Sequence, residues 1–190
     1  MEARRYSQLA IWLHWLIAIA IIVNIALAWT WPNVPEAQVR PLIDAHKSFG
    51  ITVFGLAVLR LLWRFTHRPP ALPTTYQKWE IRASHATHWA LYFIIFFMPI
   101  SGWLHDSAWD AAATHPLLWF GLFEVPRASY YEHLDPVRMK HYHELFGSLH
   151  ELGAKLVYAL VALHIAGALK HQFIDKQREL QRMWFWGQPE

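Results

Sequence analysis

An all-α fold, an integral membrane four-helix bundle with both termini cytoplasmic, is the class this sequence predicts, and three observations carry it. Four apolar stretches are each long enough to cross a bilayer, which takes about 20 residues. Their apolar residues run continuously instead of alternating, which excludes a closed membrane barrel. Twelve Trp occur in 190 residues, and amphipathic rings of this kind gather where membrane meets water.

The first stretch, residues 9–31, carries no formal charge. Arg4 and Arg5 precede it, and "ALA" at 26–28 resembles a signal-peptide cleavage site. The apolar run ahead of that site exceeds the usual length of about 7–15 residues, so it reads as a retained span. The second stretch is 46–64, with Arg60 close enough to its end to snorkel. The third is 84–104 and the fourth 145–169. No repeat, low-complexity tract or Ser/Gly linker divides them, so residues 1–190 read as one membrane domain.

Basic residues set the orientation, because loops rich in Lys and Arg stay on the cytoplasmic side. Arg4 and Arg5 lie at the amino end, Arg64, Arg68, Lys78 and Arg82 between the second and third spans, and Lys170, Lys176, Arg178 and Arg182 at the carboxyl end. The opposite side is mainly acidic. The sequence pI near 9.3 therefore reports membrane topology, and no nucleic-acid partner is expected. The absence of Cys excludes disulfides, Cys-ligated metal, iron–sulfur clusters and covalent c-type haem attachment.

That topology sorts the histidines by depth. His14 opens the outward-running first span, and His164 closes the inward-running fourth, so both lie toward the cytoplasmic side. His46 opens the second span and His150 the fourth, both toward the outer side. His150 and His164 are fourteen residues apart, close to four turns, so they share a helix face and are separated by about 21 Å. That span is too long for one metal ion and suits two stacked cofactors. Neutral imidazoles facing each other across a bundle are good axial ligands for haem iron.

A porphyrin beside a helix also needs small neighbours within a turn of its ligand. His14 is followed by Ala18, His46 by Gly50, His150 by Gly153 and Ala154, and His164 by Gly167 and Ala168. A single histidine at a helix end is more commonly an interfacial hydrogen-bonding residue. Four at paired depths with small neighbours favour cofactor ligation. His143, one heptad before His150 and followed by Gly147, is the rival outer ligand, but it sits outside the apolar run. His67, His105, His115, His133 and His141 read as loop residues.

These residues carry a resemblance. "WLHWLIA" around His14, "DAHKSFGI" around His46, "LRLLWR", "SHATHWALY", "WFGLFEVP", "SLHELGAKLVYALVALH" and "ALKHQFIDKQRELQRM" together resemble the bacterial cytochrome b561 family over nearly the whole chain. The resemblance implies a multi-pass protein of the bacterial inner membrane with two non-covalent b haems. It matches His14 and His164 to the inner haem, and His46 and His150 to the outer. It also implies electron exchange with ubiquinone, and superoxide oxidation at the periplasmic face has been put forward for members, making superoxide:ubiquinone oxidoreductase the specific candidate.

Bis-imidazole ligation fills both axial positions, so outer-sphere electron transfer is the expected chemistry. Arg60, Arg64, Lys170 and His171 gather at the inner end, where haem propionates or a quinone headgroup would sit; positive-inside charge alone also accounts for Arg64 and Lys170. His171 and His88 are titratable groups suited to quinone protonation. Lys47 offers positive potential beside His46 for a small anion such as superoxide. Lys155, unusual inside such a helix, pairs with Glu151 or meets a haem propionate. The loop from Asp106 to Tyr142 reads as an interfacial cap over the outer haem, although its acidic balance opposes anion steering.

Two other functions remain open to the sequence. One is a cytochrome b anchor subunit passing electrons between a hydrogenase-like dehydrogenase and quinone through a redox partner protein. The other, non-redox, is a metal-ion transporter using the same histidines. It lacks acidic residues within the spans and leaves the small neighbours unexplained.

Overall fold

The computed structural model describes residues 5–67, 69–71 and 75–185; Arg4 and Arg68, used in the orientation argument, lie outside them. Four long helices form the body: α1 Gln8–Thr30, α2 Glu36–Thr66, α3 Lys78–Ser107 and α4 Pro136–Leu169. A π-helical turn at Lys170–Ile174 extends α4, and a short α5, Glu179–Arg182, follows. All four long helices are apolar and long enough to cross a membrane.

Helix ends follow local chemistry. The Ser7 side chain accepts from the Ala10 amide to cap α1, and Asp135 accepts from Val137 and Arg138 at the start of α4, with Pro at the first helical position. Gln77 and Glu80 form a reciprocal capping box at α3. The helices outrun the apolar stretches: α2 begins at Glu36 instead of near 46, α3 at Lys78 instead of 84, and α4 at Pro136 instead of 145. Hydropathy marks where a helix meets lipid, whereas local polar chemistry decides where it begins: a side-chain cap for α3 and α4, and an acidic first turn at Glu36 for α2, whose N-cap Pro35 offers no side-chain bond. His141 consequently lies on α4 and His105 on the last turn of α3, not in loops.

The interior is narrow. Ile11, Leu13, Ile17, Val53, Ala57, Ile94 and Val157 are buried, while Trp12, Ile22, Leu62 and Phe93 point outward, as lipid-facing helices require. α1 packs on α2, α3 on α4, and α2 joins the two hairpins through α3. The backbone of α4 is not closely packed against α1 or α2, which leaves room between the hairpins.

Between α3 and α4 lies a feature the all-α reading does not include. Strands β1, Leu118–Trp119, and β2, Phe123–Glu124, pair antiparallel in a small hairpin. Its turn takes positive φ at Phe120 (47°) and Gly121 (74°). Glycine adopts this at no steric cost, but Phe120 has to be held there. Its amide donates to Ser48 Oγ (2.9 Å), and its ring meets Phe49 edge-on. Trp119 also donates to Thr52 Oγ1, so the hairpin lies along α2 beside His46.

Candidate functional site

The four depth-sorted histidines meet in two pairs. His14 of α1 faces His164 of α4 with ring centroids 6.1 Å apart and planes at 79°. His46 of α2 faces His150 of α4 with the same two values. A metal–imidazole bond of about 2 Å on each side, plus about 1 Å from each nitrogen to its ring centre, separates trans imidazoles by about 6 Å. Both pairs have the spacing one iron needs between them.

Hydrogen bonds fix the outer tautomers. His46 Nδ1 lies 3.1 Å from the Asn24 carbonyl oxygen, so it must donate. Ser101 Oγ gives its own proton to the Met98 carbonyl and therefore accepts from His150 Nδ1 at 3.1 Å. Both rings thus leave Nε2 unprotonated, the tautomer in which a histidine can ligate a metal. Gly102 permits this at α3, because a Cβ there would lie 3.0 Å from His150 Cε1.

Room for a porphyrin is present at some of the expected glycines. A Cβ on Gly167 would meet nothing within 4 Å, and one on Gly50 only Asn24 at 3.8 Å. Gly153 behaves otherwise: Met98 and Phe97 fill its space, so it serves helix packing and not a cofactor. Gly147 makes room for the His105 ring. His105 and His143 stack at 3.9 Å, each Nδ1 donating to the other's carbonyl (2.8 and 2.9 Å). His143 is therefore turned toward α3, while His150 is the residue placed opposite His46. Paired histidines of the right spacing, open glycine surfaces and separated hairpins all fit a haem.

A family model for prokaryotic cytochrome b561 matches residues 5–186. The chain belongs to the prokaryotic cytochrome b561 family. This cytochrome is 33% identical over 181 residues to Cytochrome b561 homolog 2 of Escherichia coli, covering 94% of this chain and 90% of the relative. It is 26% identical over 187 residues to the Probable superoxide oxidase CybB of Yersinia pestis, covering 95% and 96%. Cytochrome b561 homolog 1 of Escherichia coli is 24% identical over 181 residues, covering 94% and 96%. Membership makes the chain a haem b-binding membrane electron-transfer protein.

At the end of the bundle that holds His14 and His164, the cytochrome has a cavity of about 240 Å³ whose lining includes Tyr6, Arg64, Pro70, His85, His88 and Tyr92. The His88 ring is 5.4 Å from His164, and its Nδ1 donates to the Ser84 carbonyl at 2.7 Å, leaving Nε2 free. Arg60 Nε donates to Tyr92 Oη at 3.4 Å, and its guanidinium is close enough to act electrostatically on His14 and His164. The Arg64 guanidinium lies over the Tyr92 ring. Burial pushes the Tyr6 phenol up from its ordinary value.

Lys170 and His171 belong to a different group. The Lys170 ammonium bonds both Glu80 and Asp175, and His171 Nδ1 lies 2.7 Å from Asp175 while its ring stacks on Tyr76. The Lys170 hydrogen bond holds the Asp175 carboxyl below the usual range. Burial, followed by a hydrogen bond donated to Glu179, pushes Tyr76 up. Among the described residues, Glu80, His171 and Asp175 are the one group of three that could share a metal ion. The Lys170 cation already bonds two of its members.

At the outer end Lys47 is not a free cation. It bonds Asp106, which also accepts from Arg127 Nε at 2.8 Å, and Asp44 lies 3.8 Å away. Sequence reasoning missed Asp106 and Arg127 as a buried partner and its second cation, because both fall in what reads as loop. Lys155 is ion-paired with Glu151 at 3.0 Å on an exposed face.

Proposed function

We propose that this cytochrome carries two b haems, one held by His14 and His164 and one by His46 and His150, and that it moves electrons from a periplasmic donor to ubiquinone at the inner cavity. The observation that carries the reading is the repeated pairing: two α4 histidines, each facing a histidine of another helix at 6.1 Å and 79°, fourteen residues apart along α4. Haem b supplies one-electron redox chemistry when bound. His46 and His150 keep Nε2 unprotonated because the Asn24 carbonyl accepts from His46 Nδ1 and Ser101 Oγ, itself donating to Met98, accepts from His150 Nδ1. Arg60 offers positive charge to the propionates of the inner group.

The inner cavity suits a quinone headgroup, with aromatic walls in Tyr6, Trp89 and Tyr92 and a cation in Arg64. His88 borders both the cavity and His164, and its unprotonated Nε2 can take up a proton from solvent and then deliver it to a quinone oxygen. Lys170 and His171, bound into their own group, act from the rim by keeping α4 and α3 together. Both termini and this cavity face the cytoplasm, and the bilayer is the bacterial inner membrane, as the basic loops favour.

Superoxide is the donor we favour, from the relative named a probable superoxide oxidase. Two superoxide anions each lose one electron and leave as dioxygen. One ubiquinone gains those two electrons and two protons and leaves as ubiquinol. Lys47, Arg127 and Arg40 outnumber Asp44 and Asp106 by one positive charge in the outer cluster, which attracts an anion weakly.

The test mixes purified oxidised holoprotein with enzymatically generated superoxide and then adds decylubiquinone, following the haem bands. Reduction by superoxide and reoxidation by quinone are expected. Reoxidation without superoxide-driven reduction would rule out that donor, and no reoxidation would rule out the quinone site.

A further inference from the structure

The carboxyl end after α4 does not leave the bundle. The π-helical turn at Lys170–Ile174 and a left-handed Lys176 (φ 55°) reverse the chain, and residues 177–185 run back beneath the inner end. Trp15 Nε1, one residue from His14, donates to the Met183 carbonyl at 2.7 Å. Trp184 stacks edge-on against Trp15, and Phe185 lies 4.4 Å from Trp12. Arg5 donates to the Trp184 carbonyl.

One side chain ties this strap to the cavity. Arg182 is 4% exposed, which is rare for an arginine and requires partners. Nη1 donates to Glu179 Oε1 at 2.9 Å, and Nη2 to the carbonyls of Ala71 (2.9 Å) and Pro70 (3.3 Å). Its own carbonyl accepts from the Tyr6 amide at 3.2 Å, and its guanidinium lies 5.9 Å from the Tyr6 ring centre. Glu179 is held in turn by Tyr76 Oη at 2.8 Å. Tyr6 and the Pro70–Ala71 segment are two walls of the inner cavity and come from distant parts of the chain. Neither wall belongs to a long helix.

We infer that Arg182 is a positioning residue for the inner cavity: through it the C-terminal strap fixes the Tyr6 and Pro70–Ala71 walls and so sets the affinity for the quinone headgroup. The inference rests on the reading of that cavity as the quinone site. Arginine is needed because its planar fork bonds a carboxylate and two carbonyls at once, which a lysine ammonium at the end of a flexible stem does not reproduce. Arg182 touches neither cofactor nor substrate, so it acts on binding and not on the electron-transfer step.

The experiment uses chemically reduced full-length holoprotein, reoxidised by decylubiquinone in a stopped-flow instrument, for the wild type, Arg182→Ala and Arg182→Lys. Haem content and trypsin cleavage after Lys176 and Arg178 are measured on the same samples. For Arg182→Ala the half-saturating quinone concentration rises roughly tenfold while the limiting rate stays within about twofold. Haem content is unchanged and strap cleavage is faster. Arg182→Lys falls between. A released strap with unchanged half-saturation would overturn the inference, as would a strap that stays protected. If the wild type itself is not reoxidised, the quinone reading of the cavity has failed, and the cleavage data still report whether Arg182 pins the strap. Should Arg182→Ala not fold, Arg182→Lys and Glu179→Gln carry the same comparison.

Discussion

His14 and His164 stand 6.1 Å apart between ring centroids with their planes at 79°, and His46 and His150 repeat both values at the other end of the same α4 face. Two independent crossings between helices arrive at one geometry, and its 6.1 Å separation would admit a single iron between the two imidazoles. Near-orthogonal rings also have an electronic consequence. If these rings held a haem iron at this angle, its d orbitals of π symmetry would be nearly equal in energy, which would spread the g values of the low-spin ferric state. Electron paramagnetic resonance of the oxidised protein should show signals with the largest g displaced to low field at both sites. An ordinary rhombic spectrum from both would contradict the ring orientations.

Gly167 separates room for a cofactor from room for the fold. A methyl group there meets no protein atom within 4 Å, and Ala is favoured over Gly in a helix by about 1 kcal/mol. Gly167→Ala should leave thermal stability of the haem-free protein equal or higher while weakening retention of the inner haem. Unaltered haem retention would show that this surface faces lipid instead of porphyrin.

Gly102 makes the opposite case. Its added Cβ would sit 3.0 Å from His150 Cε1, so Gly102→Ala shifts the His150 ring by a few tenths of an ångström. The expected result is a perturbed or lost outer haem band with the inner band intact, read in reduced-minus-oxidised spectra. Equal effects on both bands would mean general misfolding.

Asp106 joins Lys47 on α2 to Arg127 in the outer loop, and its side chain is 7% exposed. Removing its charge leaves two cations without their common partner. Asp106→Asn should destabilise the protein by on the order of 3 kcal/mol, since breaking one member of a buried pair strands the others. Denaturation of wild type and variant in the same detergent measures it, and a loss below about 1 kcal/mol would place the pair in solvent, where such bridges contribute little.

On the inner side, the Lys170 hydrogen bond depresses Asp175. A carboxylate whose folded value lies below its unfolded 3.8 contributes stability that is complete above that value and is lost as pH falls through the folded one. The gap in thermal midpoint between wild type and Asp175→Asn should therefore be full at neutral pH and close under acid conditions below 3.8. A gap that widens on acidification would reverse the assignment.

The four helices and the two histidine depths were legible because each rests on a one-dimensional signal, continuous hydropathy and position within a span. The family likeness rests on motifs spread along the chain, and the family match over residues 5–186 agrees with it. Other features need two segments at once. The polar start of α4 is helical through its Asp135 cap, and that of α2 through Glu36 in its first turn and the Arg40–Asp44 pair, none of which hydropathy registers. His105 and His143 look like unrelated loop residues until α3 and α4 bring their ends together. Arg182 reads as one more positive charge on the cytoplasmic side, and its burial depends on Pro70, Ala71 and Tyr6, far away in sequence. The small-neighbour rule fails at Gly153 for a related reason, since a gap beside a helix can be filled by Met98 as readily as by a porphyrin.

The central claim is tested most directly by the haem b content per polypeptide of purified protein, measured with reduced-minus-oxidised spectra for the wild type and His164→Ala. Two low-spin haems are expected in the wild type and one, held by His46 and His150, in the variant. A single haem in fully loaded wild type, or loss of both from a folded His164→Ala protein, would contradict it.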